Sequence, residues 1–178
     1  MIRILVCSLI GAARLIELRM SNRNIASQAD SREGNWSRRL FPAMVAMHTA
    51  VIGGTALFGA RKPRFYWLAL LLAVQPLRWW TLATLGKRWN ARGSVPRQMD
   101  IATNGPYAFV RHPNYSIVVL ELLTLPAAFR LYKLAVAASL ANAALLTLRI
   151  RDEEALLFQL PGYAEHFAGK PRFVPGFF

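Results

Sequence analysis

Cys7 is the only cysteine in the chain, which excludes an intrachain disulfide and any CxxC metal or redox pair, so no metal is expected. Acidic residues are scarce as well: 9 Asp and Glu stand against 22 Lys and Arg, a formal net charge of +13. No alternating apolar/polar run is long enough to build a sheet, and there is neither an internal repeat nor a low-complexity tail. Apolar residues, in contrast, make up 54% of the 178 positions, with a mean hydropathy of +0.28. A nucleic-acid-binding protein would be basic too, but with its cations on a water-facing surface. Here the cations fall between long apolar stretches, the pattern of membrane loops. Composition and segment length therefore argue against nucleic acid as a partner.

Five stretches are apolar enough for helical spans, each needing about 20 residues to cross about 30 Å of hydrocarbon. They run over 2–18, 40–59, 65–85, 116–129 and 131–150. Arg14 and Glu17 interrupt the first and no small-residue cleavage site follows, so 2–18 reads as a retained helix rather than a signal peptide. Only Arg130 and Tyr132-Lys133 break the last two, which predicts a tight helical hairpin. The expected fold is all-α: a polytopic bundle of about five transmembrane helices forming one domain over 1–178.

Loop charge predicts the topology. Segment 19–39 holds Arg19, Arg23, Arg32, Arg38 and Arg39; segment 86–115 holds Lys87, Arg88, Arg92, Arg97 and Arg111; the stretch from 149 holds Arg149, Arg151, Lys170 and Arg172. With five spans these share one side, and only Arg3, Arg61, Lys62, Arg64, Arg130 and Lys133 lie on the other. The positive-inside rule puts the richer side in the cytoplasm and the N terminus outside, which suits a bacterial cytoplasmic membrane. The two most motif-like segments, 86–115 and 149–178, then share the face where soluble cofactors are found.

The first of these contains Gly105-Pro106-Tyr107-Ala108-Phe109-Val110-Arg111-His112-Pro113-Asn114-Tyr115. Gly105-Pro106 marks a turn, and Pro113 disfavours helix at His112. A helix restarting there leaves N–H groups free near Asn114–Ser116, which suit an anion, while Tyr107 and Tyr115 offer rings for a base or a cation. An interfacial turn with an aromatic belt accounts for the same residues. The second stretch, Arg149-Ile150-Arg151-Asp152-Glu153-Glu154-Ala155-Leu156-Leu157, carries the fifth helix into water. Arg149 and Glu153 share a helix face, yet a surface pair in that order contributes only about 0.3–0.5 kcal/mol. Methyl transfer gives the pattern a better purpose: a carboxylate holds a cofactor's positive groups while a guanidinium orients an oxygen nucleophile.

These blocks, with Gly162-Tyr163, Phe167 and Val174-Pro175 after them, resemble the isoprenylcysteine carboxyl methyltransferase superfamily over roughly the last ninety residues. The resemblance implies an O-methyltransferase that binds S-adenosylmethionine without a Rossmann domain, and no GxGxxG follows a strand here. Carried over by position, the cofactor contacts would be Met99, Asp100, Ile101, Ala102, Tyr107, His112, Pro113, Asn114, Tyr115, Glu153 and Glu154. Arg149 would face the substrate, and Arg149 and Glu153 would be the catalytic pair. Two positions depart from the pattern: Arg92 replaces a glutamine-like residue, and His166 stands where Tyr is common. Glu17-Leu18 with Ser21-Asn22-Arg23-Asn24, Phe41-Pro42-Ala43-Met44 with His48, Gln75 with Arg78-Trp79, and Trp89-Asn90 look like a bacterial branch encoded beside type III polyketide synthases. That branch implies O-methylation of alkylresorcinol- or alkylpyrone-type phenolic lipids.

Ionisable residues in a bilayer are costly and point to function. Arg78, Glu121, His48, Glu17 and Asn142 all fall within expected spans. One reading is a pocket for the head of a lipid-like substrate, with Glu121 or His48 taking its proton; the other is an internal network such as Arg78 with Glu17 or Glu121. Met44 and Met47 read as packing, Gly53-Gly54 as a site of close helix approach, and Arg38-Arg39 as lipid-headgroup contacts. Two other functions fit the same sequence: methyl esterification of a prenylated cysteine, and a non-catalytic lipid-binding scaffold. Nothing in the sequence speaks to oligomeric state.

Overall fold

The computed structural model describes residues 1–28 and 30–174. Six helices account for most of them: α1 Ile2–Ala26, α2 Asn35–Phe58, α3 Phe65–Leu85, α4 Pro113–Ala128, α5 Tyr132–Leu157 and the short α6 Tyr163–Phe167. A two-residue antiparallel pair, β1 Ser31–Arg32 with β2 Val95–Pro96, is the one departure from helix-only packing among the described residues. Pro175 of the Val174-Pro175 ending lies outside them.

The helices outrun their apolar stretches. Segment 19–26 continues α1 and 151–157 continues α5, because hydropathy tracks the surroundings of a residue, whereas the helix ends where backbone bonding ends. Pro113 opens α4 at its first position, where its missing N–H costs nothing. The expected hairpin is present, with α4 and α5 joined through Phe129–Leu131 and Arg130 at φ 64°. Pro42 and Pro76 sit inside α2 and α3.

Three helices, Asn35–Phe58, Phe65–Arg88 (α3 with the 3-10 turn that follows) and Tyr132–Leu157, are long and apolar enough to cross a membrane. Large apolar side chains face outward on α1, α2, α3 and α5, among them Leu5, Leu9, Leu57, Phe58, Leu72, Trp80 and Leu140. An apolar exterior on this scale calls for a lipid or protein neighbour. α4 is the buried centre: Ile117, Val118, Leu122, Thr124, Leu125, Ala127 and Ala128 are all enclosed. One core cluster joins Cys7, Val51, Leu71, Val118, Leu122, Leu125 and Phe129 across α1 to α4, and a second joins Val95, Ala102, Tyr107, Leu160, Tyr163 and Phe167 at the polar end.

Four charges, three buried and Arg14 half-buried, meet in the middle of the bundle and neutralise one another. Arg78 grips Glu17 with two parallel bonds of 2.7 and 2.6 Å and reaches Glu121 at 3.1 Å. Arg14, one turn before Glu17, bonds Glu17 at 2.9 Å and Glu121 at 3.4 Å, and Gln75 donates to Glu121 at 2.9 Å. The expected internal network of Arg78 with Glu17 and Glu121 is thus present, while His48 and Asn142 lie outside it.

The three cation-rich segments meet at one end of the bundle. Asn24 donates to the Trp89 carbonyl at 2.6 Å, Ser21 Oγ accepts from the Ala91 N–H at 2.9 Å, and Arg32 donates to Gln159 at 2.6 Å. Asp152 of α5 accepts from the Trp36 and Ser37 N–H groups at 2.6 and 3.0 Å. It thereby caps α2 in place of Gly34, which has no side chain to do so.

Removing one charged member of the central network leaves a buried charge uncompensated. Arg78→Leu leaves Glu17 and Glu121 to share Arg14, one negative charge in excess, and is expected to cost about 3–5 kcal/mol, read as a lower thermal-unfolding midpoint in detergent. Adding Glu17→Gln to Arg78→Leu removes one orphaned charge and should recover part of the loss.

Candidate active site

The loop between α3 and α4 folds back over the end of the bundle on local bonds. Asn90 Oδ1 accepts from the N–H groups of Arg92 and Ser94 at 3.1 and 2.9 Å, and its amide donates to the Ser94 carbonyl at 2.7 Å. This Asx-type turn brings Gly93, at φ 68°, against the α5 side chains: a Cβ there would lie 3.2 Å from Glu153 Oε2 and 3.4 Å from Arg149 Nη2. The chain after α6 closes the opposite side. Pro171 and Arg172 carbonyls accept from the Arg111 and His112 N–H groups at 2.9 Å each, and Ser116 Oγ donates to the Phe173 carbonyl at 2.9 Å.

These segments enclose a cavity of about 100 Å³. Met99, Ile101, Ala102, Tyr107, Tyr163 and Phe167 give it an apolar and aromatic wall; Asn90, His112, Asn114, Tyr115, Arg149 and Glu153 give it a polar one. Burial and the nearby Glu153 carboxylate push the Tyr107 phenol well above its ordinary range, and burial, Glu153 and Glu154 do the same for Tyr163. Both rings therefore remain neutral hydroxyls.

A second cavity, about 450 Å³ and mostly apolar, lies between α1 and α2 above α4 and α5. Leu15, Leu18, Phe41, Met44, Val45, Ile52, Val118 and Leu146 line it, with Arg14, Glu17, His48 and Arg78 as its polar groups. Gly53 opens into this space and a Cβ there would meet nothing within 4 Å, whereas a Cβ at Gly54 would touch the Leu134 side chain of α5 at 3.5 Å, so of the expected pair only Gly54 faces a neighbouring helix. Trp89, Asn114, Tyr115 and Arg149 belong to the walls of both cavities.

Arg149 is 3% exposed and held on three sides. Its Nε donates to the Tyr115 hydroxyl at 2.9 Å, Nη2 to the Ala91 carbonyl at 2.5 Å and Nη1 to Met44 Sδ at 3.3 Å. Tyr115 in turn donates to Glu153. Arg149 and Glu153 thus share a helix face as expected, but the Tyr115 hydroxyl stands between them in place of a direct ion pair.

Most of the expected contacts converge: Met99, Ile101, Ala102, Tyr107, His112, Asn114, Tyr115, Arg149 and Glu153 line the first cavity, and Glu17, His48, Arg78 and Arg149 the second. Five do not. Asp100 is exposed and offers only its carbonyl, to Arg88 at 3.2 Å; Pro113 is buried in the first turn of α4. Glu154, rotated about 100° from Glu153 around α5, bonds Arg172 at 2.6 Å, His112 at 3.1 Å and Arg111 at 3.3 Å, tying the tail to the loop. Glu121 is taken up by the central network. Asn142 is fully enclosed on α5, its amide without a protein partner, and touches neither cavity. The two departures from the family pattern also stay outside the first cavity: the Arg92 guanidinium stacks on Phe41 at 4.8 Å, and His166 packs its edge on Phe167. Sequence reasoning passed over Arg14, Gly93, Ser94 and Arg88. Gly93, in an otherwise polar loop with Asn90 three residues before it, carried a turn signal.

Residues 67–159 match the family model for the isoprenylcysteine carboxyl methyltransferase family. The chain belongs to that family. Among curated proteins it is 35% identical to the uncharacterized protein YpbQ of Bacillus subtilis over 124 residues, covering 66% of this chain and 73% of that one. It is also 31% identical over 121 residues to the cobalt-zinc-cadmium resistance protein CzcN of Cupriavidus metallidurans, covering 67% of this chain and 56% of the other. The nickel-cobalt-cadmium resistance protein NccN of Alcaligenes xylosoxydans xylosoxydans is 30% identical over 111 residues, 61% of this chain and 52% of its own. The chain thus spans about half the length of the two resistance proteins. Family membership implies a methyltransferase, and together with the three apolar helices it makes this a membrane protein.

Gly93 supplies a test of the loop. Ala there would hold a left-handed backbone at a cost of about 1–2 kcal/mol and press on Glu153. Gly93→Ala should lower the unfolding midpoint accordingly, whereas Gly169→Ala, with nothing within 4 Å of the new Cβ, should leave it unchanged.

Proposed function

We propose that the protein is an S-adenosylmethionine-dependent O-methyltransferase whose acceptor is a lipophilic molecule drawn from the bilayer, a phenolic or pyrone polyketide lipid. The observation that carries this reading is the shared wall of Arg149, Tyr115, Asn114 and Trp89 between a polar cavity and an apolar one. Two reactants of opposite solubility can meet only at such a wall.

The first cavity suits the donor. Tyr107, Tyr163, Phe167, Met99 and Ile101 offer a flat apolar setting for a purine, and Glu153 offers negative charge to a cation. Asn114 Oδ1 is buried without a protein partner, an acceptor left for a ligand. When bound, S-adenosylmethionine would supply an electrophilic methyl on a sulfonium. At about 100 Å³ the cavity is smaller than the roughly 300–1,000 Å³ usual for such ligands, so donor binding requires the 163–174 stretch to give way. The second cavity suits an alkyl chain, with its oxygen head toward Arg149. The guanidinium, already fixed by Tyr115, Ala91 and Met44, orients that oxygen and stabilises its negative charge without reorganising.

α1 and α4 complete a five-span bundle in this reading. α1 is about 37 Å long at 1.5 Å per residue, and its inner charges are neutralised by Arg78 and Glu121. The cation-rich end then faces the cytoplasm of a bacterial cell. A prenylated cysteine carboxylate is the competing acceptor, since Arg149 serves either oxygen.

Detergent-solubilised protein with methyl-labelled donor, offered an alkylresorcinol and acetyl-farnesylcysteine, should label the first; label on the farnesyl compound alone would overturn the phenolic reading. Arg149→Ala and Glu153→Ala should each reduce turnover by about 10²–10³-fold, and parental rates in both would refute the site. A protein that binds no donor by calorimetry would be a scaffold.

Gly53→Phe adds a ring at the lining of the second cavity, from a position where a Cβ meets nothing within 4 Å. It should raise the KM for the lipid at least tenfold and leave donor affinity unchanged.

A further inference from the structure

Resting on the phenolic reading above, the second cavity also contains the group that removes the acceptor's proton. A phenol with a pKa near 10 is ionised in only about one molecule per 1,000 at pH 7, so methylation at a useful rate needs a base beside the oxygen. The titratable groups around the cavity can be taken helix by helix. From α1, Glu17 has both carboxylate oxygens occupied, one by Arg78 and the other by Arg78 and Arg14, and Arg14 is a cation with no lone pair to offer. From α3, Arg78 is likewise a cation. From α4, Glu121 is shared among Arg14, Gln75 and Arg78 and stays off the cavity wall. Tyr115, also on α4, already donates to Glu153 and accepts from Arg149. From α5, Arg149 can donate but not accept.

α2 supplies the remaining group. His48 lines the cavity, and its Nδ1 lies 2.8 Å from the Met44 carbonyl. A carbonyl only accepts, so Nδ1 carries the hydrogen, and in the neutral ring Nε2 keeps a lone pair. Among the described residues no protein group bonds that nitrogen. Met44, one helical turn away, touches Arg149 through its sulfur, so the imidazole and the guanidinium belong to one wall.

We infer that His48 is the general base for a phenolic acceptor, its Nε2 taking the hydroxyl proton while Arg149 holds the oxygen. In that step the O–H bond breaks and its proton passes to Nε2. The oxygen forms a bond to the methyl carbon as the carbon–sulfur bond of a sulfonium donor breaks, and that electron pair stays on sulfur as a neutral thioether. The imidazolium then returns its proton to water. A carboxylate acceptor, already ionised, would have no use for His48, so the same residue biases the site toward weakly acidic oxygens.

The test compares an alkylresorcinol with a ring-nitrated analogue that is ionised at assay pH, using the detergent-solubilised full chain and S-adenosylmethionine. In the parent, kcat/KM for the plain phenol should rise with pH along a limb set by imidazole deprotonation, and that limb should be absent for the nitrated one. His48→Gln should lose about 10²–10⁴-fold on the plain phenol and less than threefold on the nitrated one. With no donor present, the parent should hold the bound nitrated phenol as phenolate at lower pH than His48→Gln does, read by absorbance. Equal losses on both phenols, or the same pH limb for both in the parent, would overturn the role of His48 while leaving the acceptor class intact. A parent that methylates neither phenol overturns the acceptor class itself, and this step with it.

Discussion

The guanidinium of Arg149 ties four parts of the chain to one point. It belongs to α5, bonds a side chain of α4, a backbone carbonyl of the loop before β2, and a sulfur of α2. A buried cation in an apolar bundle is costly unless its donors are matched, so these segments are held in register by the need to satisfy it. Moving any of them would leave a donor unmet. The same group forms part of the wall between the two cavities, which couples the packing of the bundle to the geometry of its chemistry.

A second charged cluster, deeper in the bundle, works differently. Arg14, Arg78, Glu17 and Glu121 come from three helices and cancel in formal charge, with Gln75 completing the bonding. Its neutrality lets the neighbouring cavity remain largely apolar although two arginines and a glutamate line it. It also explains how α1, interrupted by Arg14 and Glu17, can pack in an apolar setting: each charge meets its counter-charge across a helix interface.

Much of this was legible in the sequence where local chemistry dictated it. Apolar length gave the helices, Arg130 the break of the hairpin, and Pro113 the restart of α4. The span count put 19–39, 86–115 and the stretch from 149 on one side, and contacts among their described residues bring them to one end of the bundle. The continuation of α5 through 151–157 was legible from the spacing of Arg149 and Glu153, but that of α1 through the polar 19–26 was not. Nor were the partners. Helical spacing put Arg149 and Glu153 on one face, but only the tertiary fold inserts Tyr115 between them. Glu154, a cofactor contact by the resemblance, is rotated one residue around α5 from Glu153 and bonds Arg172 and His112. Asn142 read as functional by its cost of burial, and the structure encloses it away from both cavities. Asp152 had no local signal as a cap, since the N–H groups it receives lie 116 and 115 residues earlier.

Under the proposed function, the division of the site into two cavities would match where each reactant is soluble. A sulfonium-bearing nucleoside is a charged, water-borne molecule, and the loop-built cavity is at the polar end, among the cationic segments and against the closing stretch after α6. A lipid acceptor partitions into hydrocarbon, and the larger cavity lies between α1 and α2, whose outer faces carry exposed Leu and Ile. Had one cavity served both, either the donor would desolvate its charge in an apolar space or the lipid would leave the bilayer to reach water. With Arg149, Tyr115 and Asn114 at the contact between two separate spaces, the proposed reaction would avoid both costs, and the acceptor's ionisation would be the one step left to the apolar side. That is the side on which His48 lies.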